Sequence, residues 1–344
     1  MALLLGLRIV PDNATLDYRQ PQMAVAGGRI ALVFGTADTV YCAVSRNGGL
    51  TFSDPAVVSK AGKLSLGRHR GPRVAIAGPS IVVSAVVGDK GGGADGDLLV
   101  WRSMDEGKTW SPPSRVNDAA GAAREGLHAM VASPGGRLWA AWLDLRQKGT
   151  RLYCAWSGDG GHTWSPNVLI YSSPDGHICE CCHPSLAVGP DGDVYAMWRN
   201  WLGGSRDLYL ASSSDGGKSF GPAEKLGAGT WPLNACPMDG GGLAISAEGK
   251  AMSIWRRGAE VFLAPAGGTE TSLGEGHNPS LVWARDGFYA IWSGPSGVMV
   301  RIPGRAESQR IAFQGSYPVL AALPSGAVLG AWEEKGALVV RIVQ

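Results

Sequence analysis

Short segments that alternate apolar and polar residues recur along the chain and predict β-strands. Each unit opens with a Pro or a small residue, continues as an alternating strand, turns at a Gly and returns as a strand that often ends in Trp. A period of two is typical of a strand that buries one face. The pattern therefore predicts an all-β fold built from repeats, whose units begin at Pro21, Pro72, Leu127, Pro184, Gly240, Pro279 and Pro318.

A second motif, Ser-x-Asp-x-Gly-x-Thr-Trp in its fullest form, recurs in register with the first four units. Its copies span 45–52, 103–110, 157–164 and 213–220. The Asp or Asn side chain accepts backbone N–H groups within a turn, and Gly supplies the positive φ that the turn requires. We therefore interpret the third residue of each copy as structural, namely Asn47, Asp105, Asp159 and Asp215.

The repeat length predicts a β-propeller. Seven units in 344 residues give about 49 residues each, which suits blades of four strands. The last unit has only three strands, ending with 337–343, and the opening segment 3–10 can supply the fourth and close the ring. We predict a single domain over 1–344 with seven blades, and six blades as the alternative.

The turn motifs resemble those of the Asp-box (BNR) repeat proteins of the sialidase superfamily. Cys179-Glu-Cys-Cys182 and the later Cys236-Pro237 resemble, within it, a set of bacterial sialidase-like proteins. The resemblance implies that the Asp-box turns lie on one face of the propeller. It also implies that loops entering the innermost strands, and loops joining second to third strands, lie on the opposite face with the functional site.

Composition excludes several other classes. The 51 Gly are spread among strand-like segments without a period of three, which argues against collagen, disorder and a helical bundle. Thirty-one basic and 29 acidic residues give a net charge of +2, so we expect no nucleic-acid partner. Apolar runs are too short to span a membrane. We expect an exported, extracytoplasmic protein whose signal peptide is absent from this sequence.

Four of the six cysteines lie just before predicted inner strands. Cys42 and Cys154 instead occupy a position that is Leu in the equivalent strands of other repeats, so we expect them in the core. Soft thiol, thioether and imidazole ligands favour copper or zinc. The predicted ligands are Cys179, Cys181, Cys182, His183, Cys236, Met238, His128 and His277.

The same cysteines allow two further interpretations. They can form disulfides that pin adjacent blades in an oxidising compartment, or stay free as reactive thiols. If the segment is extended, Cys181 and Cys182 point in opposite directions, so at most two of the three thiols face the same way.

Charged residues predicted on the same face favour a small anionic ligand or glycan, because Arg binds carboxylates and phosphates through paired hydrogen bonds. The candidates are Arg19, Arg70, Asp144, Arg146, Arg199 and Arg256.

The sialidase resemblance implies a catalytic set. Tyr18-Arg-Gln-Pro21 resembles the family's first-arginine motif, which makes Arg19 a carboxylate ligand. Tyr317 corresponds to the nucleophile and Glu125 to its activating base. The sequence departs from the family where Cys182, Cys236 and His277 replace expected arginines. Three functions therefore stay open: a metal-binding or redox site, hydrolysis of an anionic glycan, and a non-catalytic module that binds a glycan or protein.

Overall fold

The computed structural model describes residues 6–90 and 95–344, and these form seven antiparallel sheets arranged as the blades of a propeller. The predicted all-β, seven-bladed fold is therefore confirmed. Among the described residues, no helix has the length and apolar character needed to cross a membrane.

The strands are numbered along the chain, and each blade is given from its innermost to its outermost strand. In blade 7 the outermost strand is β1, from the start of the chain. Blade 1 contains β2 (Arg19–Ala26), β3 (Arg29–Thr36), β4 (Thr39–Ser45) and β5 (Ala56–Lys60). Blade 2 contains β7 (Arg73–Ala77), β8 (Ser80–Gly88), β9 (Asp97–Ser103) and β10 (Ser114–Arg115), with a short extra strand β6 (Lys63–Leu64) on β8. Blade 3 contains β11 (Ala123–Ala132), β12 (Leu138–Asp144), β13 (Arg151–Ser157) and β14 (Val168–Tyr171).

The remaining four blades repeat the pattern. Blade 4 contains β15 (Ser185–Val188), β16 (Val194–Arg199), β17 (Leu208–Ser213) and β18 (Glu224–Lys225). Blade 5 contains β19 (Gly242–Ile245), β20 (Ala251–Arg257), β21 (Glu260–Pro265) and β22 (Thr271–Glu275). Blade 6 contains β23 (His277–Ala284), β24 (Gly287–Gly294), β25 (Gly297–Arg301) and β26 (Gln309–Ala312), and blade 7 contains β27 (Ser316–Ala322), β28 (Val328–Glu334), β29 (Ala337–Ile342) and β1 (Leu7–Ile9).

The ring closes through the amino-terminal strand, as the strand count predicts. Leu7 pairs with Val340 and Ile9 with Leu338, so β1 becomes the outermost strand of blade 7. The part of the predicted closing segment before residue 6 lies outside the described residues. This pairing covers the free edge of β29 and ties blade 7 to blade 1, because the chain continues from β1 into β2.

Large aromatic side chains in the second strands fill the space between neighbouring sheets. Six blades carry one at this position, and each is 3% exposed or less: Phe34, Trp142, Trp198, Trp255, Trp292 and Trp332. Truncating such a residue to Ala typically costs about 3–5 kcal/mol. Cys42 and Cys154 are buried at 1% exposure in the same apolar clusters, which confirms their prediction as core residues.

The four Asp-box turns connect the third strand of a blade to its outermost strand. In blade 3, Asp159 accepts hydrogen bonds from the backbone of His162 and Thr163 and from the hydroxyls of Thr163 and Ser157. Burial opposes ionisation, but these hydrogen bonds outweigh it and lower the pKa of Asp159 to about 2. Because third-to-fourth-strand turns and loops entering the inner strands lie at opposite ends of a blade, the Asp boxes lie away from the predicted site.

Substitution of Asp159 tests this structural role. We expect Asp159→Ala to lower the free energy of unfolding by about 1–2 kcal/mol, because the turn loses several hydrogen bonds. Asp159→Asn is the matched control, since Asn47 in blade 1 accepts the Thr51 N–H at 3.0 Å from the equivalent position. We expect Asp159→Asn to cost less than Asp159→Ala in denaturant titrations.

The stability difference between the wild type and Asp159→Asn should also depend on pH. A carboxyl whose folded pKa is about 2 and whose unfolded pKa is about 3.9 stabilises the fold above pH 4 and loses this contribution as the pH falls to 2. The advantage of the wild type over Asp159→Asn should therefore shrink across that range. An undiminished difference at pH 2 would contradict the assignment.

Candidate functional site

Three thiols converge where the long loop from blade 3 enters blade 4. The Sγ atoms of Cys179, Cys181 and Cys182 all lie within 4.8 Å of one another, and they form the one group of three or more potential metal ligands found in residues 6–90 and 95–344. Cys179 Sγ lies 3.2 Å from Cys182 Sγ and 3.7 Å from Cys181 Sγ. The three residues are 1–5% exposed. We call them the cysteine cluster.

A turn in the chain brings the three thiols together. The Cys179 N–H donates to the Arg199 carbonyl at 3.0 Å, and the Ile178 N–H donates to the Thr150 carbonyl at 3.0 Å, which anchors the segment to blades 4 and 3. Residues 180–182 then form a turn and bend rather than a strand. The expectation that at most two thiols face the same way assumed an extended segment. It is wrong because the turn redirects Cys181 and Cys182 towards Cys179.

Two guanidinium groups place positive charge beside the cluster. Arg206 Nη1 lies 3.1 Å from Cys179 Sγ. Arg199 is 1% exposed and gives its hydrogen bonds to the carbonyls of Asp239, Arg206 and Arg256. Hydrogen bonds with the Cys181 and Cys182 thiols, together with the charge of Arg199, hold the pKa of Cys179 well below its usual range. Negative charge is therefore favoured on the Cys179 sulfur, whereas the contact with Cys179 raises the pKa of Cys181 and burial raises the pKa of Cys182.

Cys236 and Met238 come from the loop that joins blades 4 and 5. The Met238 side chain packs against the cysteine cluster. Cys236 is exposed, two residues before Met238, and its thiol contributes to the raised pKa of Cys181, whose largest cause is the contact with Cys179. All six cysteines are free thiols in the structure.

Of the three histidines predicted as metal ligands, two have other hydrogen-bond partners and the third is exposed. His183 Nε2 lies 3.0 Å from the Gly241 carbonyl, and its Nδ1 accepts the Gly240 N–H at 3.3 Å, so both ring nitrogens have backbone partners. His128 is fully buried and bonds the Ser84 hydroxyl at 2.9 Å; burial lowers its pKa to about 3. His277 is exposed at the start of β23.

Around the channel, a repeated backbone distortion turns polar side chains inward. Gln20, Asn278 and Tyr317 each precede a Pro, each has a φ of 50–57°, and each lies at a register shift in its inner strand. Non-Gly residues with positive φ carry strain and are common at functional sites. Asn278 Oδ1 lies 2.8 Å from His69 Nε2, so these bulges line the channel with polar groups.

His69 and His183 form an aromatic stack within the channel. Their ring centroids are 4.2 Å apart, and Tyr317 meets His69 edge to face at 5.2 Å. Burial lowers the pKa of both histidines, so their rings are neutral at pH 7 and can stack without repulsion. Together with Arg73 they border a cavity of about 170 Å³.

Tyr317 also belongs to a second polar group at the channel mouth, which we call the tyrosine cluster: Arg19, Tyr317 and Glu333. Arg19 Nε lies 3.7 Å from the Glu333 carboxylate. Burial raises the pKa of Glu333 although Gln20 donates its backbone N–H to the carboxylate at 2.7 Å. Burial also raises the pKa of Tyr317; the Arg68 N–H opposes this shift, and the charge of Glu333 adds to it.

The predicted base, Glu125, lies within β11, but its side chain lies outside the described part of the structure. Glu333 is the carboxylate that interacts with Tyr317 among the groups that the structure describes. The sequence places Glu333 directly after the buried Trp332, but only the pairing of β27 with β28 shows that it lies opposite Ser316, the residue before Tyr317.

Most of the predicted anion-binding residues stabilise loops. Arg146 bonds both carboxylate oxygens of Asp144 at 2.9 Å and Asp118 at 2.6 Å, and it packs over Tyr153. Arg199 is buried, as described above. Three others of the predicted set are partly exposed: Arg19 at the start of β2, Arg70 before β7 and Arg256 near the end of β20.

Arg206 is the functional residue that the sequence does not reveal. It lies between the second and third strands of blade 4, where a charged loop residue is ordinary. Its Nε donates to the Leu233 carbonyl at 3.1 Å while its Nη1 contacts Cys179. Since these partners come from two different loops, no local pattern predicts the contact.

The fold resembles those of solved propeller enzymes. The α-L-arabinanase of Penicillium chrysogenum, complexed with arabinobiose, superposes with a TM-score of 0.58 and 14% identity over 98% of this chain and 97% of that chain. A leech intramolecular trans-sialidase complexed with 2,7-anhydro-Neu5Ac superposes with a TM-score of 0.57 and 13% identity, over 98% of this chain and 70% of that chain. Virginiamycin B lyase from Staphylococcus aureus, with quinupristin, superposes with a TM-score of 0.56 and 11% identity, over 97% of each chain. At these identities the likeness shows the fold alone.

At the level of sequence, no curated protein matches this chain. The family model for the BNR repeat-like domain matches residues 35–234, which is more than half of the sequence and contains all four Asp-box turns. The chain therefore belongs to the BNR repeat-like family.

Proposed function

We propose that this propeller binds Cu(I) through the cysteine cluster. The observation that carries the proposal is the convergence of three buried sulfur atoms within 4.8 Å of one another. Four thiolates around zinc at about 2.3 Å would be about 3.8 Å apart, and three in a plane about 4.0 Å apart. The sulfur separations of 3.2 and 3.7 Å therefore need only small side-chain adjustments to surround one ion.

The chemistry of the donors favours Cu(I) over Zn(II). Soft thiolate and thioether ligands select Cu(I), whereas structural zinc takes four ligands from Cys, His, Asp and Glu. The fourth side chain packed on the cluster is the thioether of Met238, and both nitrogens of His183 already have partners. A site with three thiolates and a thioether meets the preference of Cu(I).

The charge balance supports the same ion. One Cu(I) with three thiolates carries two net negative charges, and buried charges need partners of opposite sign. Arg206, 3.1 Å from Cys179, and the buried Arg199 supply two positive charges. Neither has an acidic side chain within 4.0 Å among the described ion pairs, so the thiolates are their natural counter-ions.

A direct test measures Cu(I) uptake by the reduced protein under anaerobic conditions, in competition with a chromogenic Cu(I) chelator. We expect the wild type to bind one Cu(I), and Cys179→Ser or Cys182→Ser to weaken binding at least about tenfold, or about 1.4 kcal/mol. Saturation with Cu(I) should raise the melting temperature of the wild type, because a ligand that binds only the folded state stabilises it.

Cys154→Ser is the matched control, because Cys154 is equally buried but lies in the core of blade 3. It should leave Cu(I) affinity unchanged even if it lowers stability. Uptake of Zn(II) in preference to Cu(I), or equal affinity in Cys179→Ser, would refute the proposal.

A second candidate function is cleavage of a glycosidic bond in an anionic carbohydrate, and the tyrosine cluster favours it. Arg19 offers a guanidinium group to a carboxylate, and Tyr317 offers a hydroxyl beside the buried carboxylate of Glu333. In such a reaction the Tyr317 oxygen bonds to the anomeric carbon while the glycosidic carbon–oxygen bond breaks; the Tyr317 proton passes to Glu333, and the leaving-group oxygen departs with the bonding electron pair and takes a proton from water. Carbohydrate ligands bound to the arabinanase and the trans-sialidase are consistent with this use of the fold.

Release of an aryl leaving group from a series of anionic aryl glycosides tests this candidate. We expect Tyr317→Phe to abolish release, whereas Tyr195→Phe, a half-buried tyrosine near the opposite end of blade 4, should not change it. Because burial raises the pKa of Glu333, activity should fall as the pH drops through that raised value and Glu333 becomes protonated. Activity that persists in Tyr317→Phe would exclude this mechanism, and binding without turnover would favour a non-catalytic module.

A further inference from the structure

Access to the cysteine cluster is restricted to one side. Cys179 and Cys182 are 1% and 2% exposed, and Cys181 is 5% exposed. Because thiolates are ligands that Cu(I) prefers, a donor that delivers Cu(I) on thiolates must first meet a sulfur that it can reach. Such a carrier cannot approach Cys179 or Cys182 without local opening of the structure.

Cys236 supplies the accessible sulfur. It is exposed at the surface, and it lies two residues before Met238, whose side chain packs against the cluster. It lies outside the set of sulfurs that are all within 4.8 Å of one another. Cys181 is the least buried member of that set, so an ion held by Cys236 meets Cys181 before the more deeply buried Cys179 and Cys182.

The segment that carries Cys236 is held in place at both ends. Before Cys236, the Leu233 carbonyl accepts a hydrogen bond from Arg206 Nε at 3.1 Å. After it, the Asp239 carbonyl accepts one from Arg199 Nε at 3.0 Å. These are the two arginines beside the cluster, so the same groups that balance its charge also hold the segment that carries Cys236 next to it. Pro237 further restricts the backbone between the two anchors.

We infer that Cys236 is the entry ligand through which a thiolate-bound Cu(I) donor transfers its ion to the cysteine cluster. The inference rests on the proposed function and deepens it. The Cys236 sulfur bonds to Cu(I), its proton passes to the departing donor thiolate, and one donor sulfur–copper bond breaks. Cu(I) next exchanges Cys236 for Cys181, whose proton passes to the Cys236 sulfur. The sulfurs of Cys179 and Cys182 then bind; one of their protons passes to the last donor sulfur, which leaves as a thiol, and the other passes to solvent. The ion stays Cu(I) throughout, so no oxidant or reductant is needed.

Positive charge at the cluster suits this class of donor. Cu(I) complexes with two or more thiolates are anions, and Arg206 is only partly buried beside Cys179. An anionic donor is therefore attracted to the positive charge beside the cluster, next to the segment that carries Cys236.

The test separates the rate of loading from the strength of binding. Reduced protein is mixed with Cu(I) as its glutathione complex, and Cu(I) that has not been transferred is trapped at intervals with a chromogenic chelator. We expect Cys236→Ser to slow transfer at least about tenfold. Its equilibrium affinity, measured by long incubation with the same chelator, should change less than about threefold.

Ala235→Ser is the matched control, since it adds a hydroxyl to the neighbouring exposed residue and leaves every thiol in place. It should transfer at the wild-type rate. Equal rates for Cys236→Ser and the wild type, with intact equilibrium binding, would overturn the entry role alone. An equal loss of rate and affinity would show that Cys236 is a permanent ligand and would also overturn it. A wild type that binds no Cu(I) at equilibrium would instead refute the proposed function.

Discussion

Closure of the ring by β1 on β29 is the constraint on which the rest of the structure depends. Seven sheets can bury both faces only if each has a neighbour on either side, and the pairing of Leu7 with Val340 completes the last sheet. The aromatic residues of the second strands fill the wedge between sheets. Once the ring is closed, the inner strands are fixed around a channel, and loops from different blades must meet at its mouth. The cysteine cluster and the tyrosine cluster are both products of that convergence.

The repeat explains why so much of this architecture is predictable. Asp-box turns, Gly turns and strand pairs are local patterns, so the sequence predicts seven units, the closing strand and the core positions of Cys42 and Cys154. The cysteine cluster is also foreseen as a set of residue types, because three of its members lie within four positions of one another. What the sequence does not predict is their common direction, since that follows from a turn at 180–182 rather than from strand alternation.

Contacts between loops of different blades account for most of the differences between the site predicted from the sequence and the site in the structure. Arg206 reaches Cys179 across 27 positions of sequence, and Arg19 reaches Glu333 between the first and last blades. His183 follows Cys182 directly, yet its ring points into the channel and stacks on His69 instead of joining the thiols. Arg146 is a residue type that binds anions, but its guanidinium group already forms hydrogen bonds with the carboxylates of Asp144 and Asp118. Extracytoplasmic location stays a prediction.

X-ray absorption spectroscopy of the Cu(I)-loaded protein tests the central claim most directly, because it identifies the atoms bonded to copper. The account predicts Cu(I) bonded to sulfur only, with three thiolate sulfurs from Cys179, Cys181 and Cys182 and no imidazole nitrogen. A spectrum dominated by nitrogen or oxygen ligands, or by the scattering pattern of a histidine ring, would contradict it.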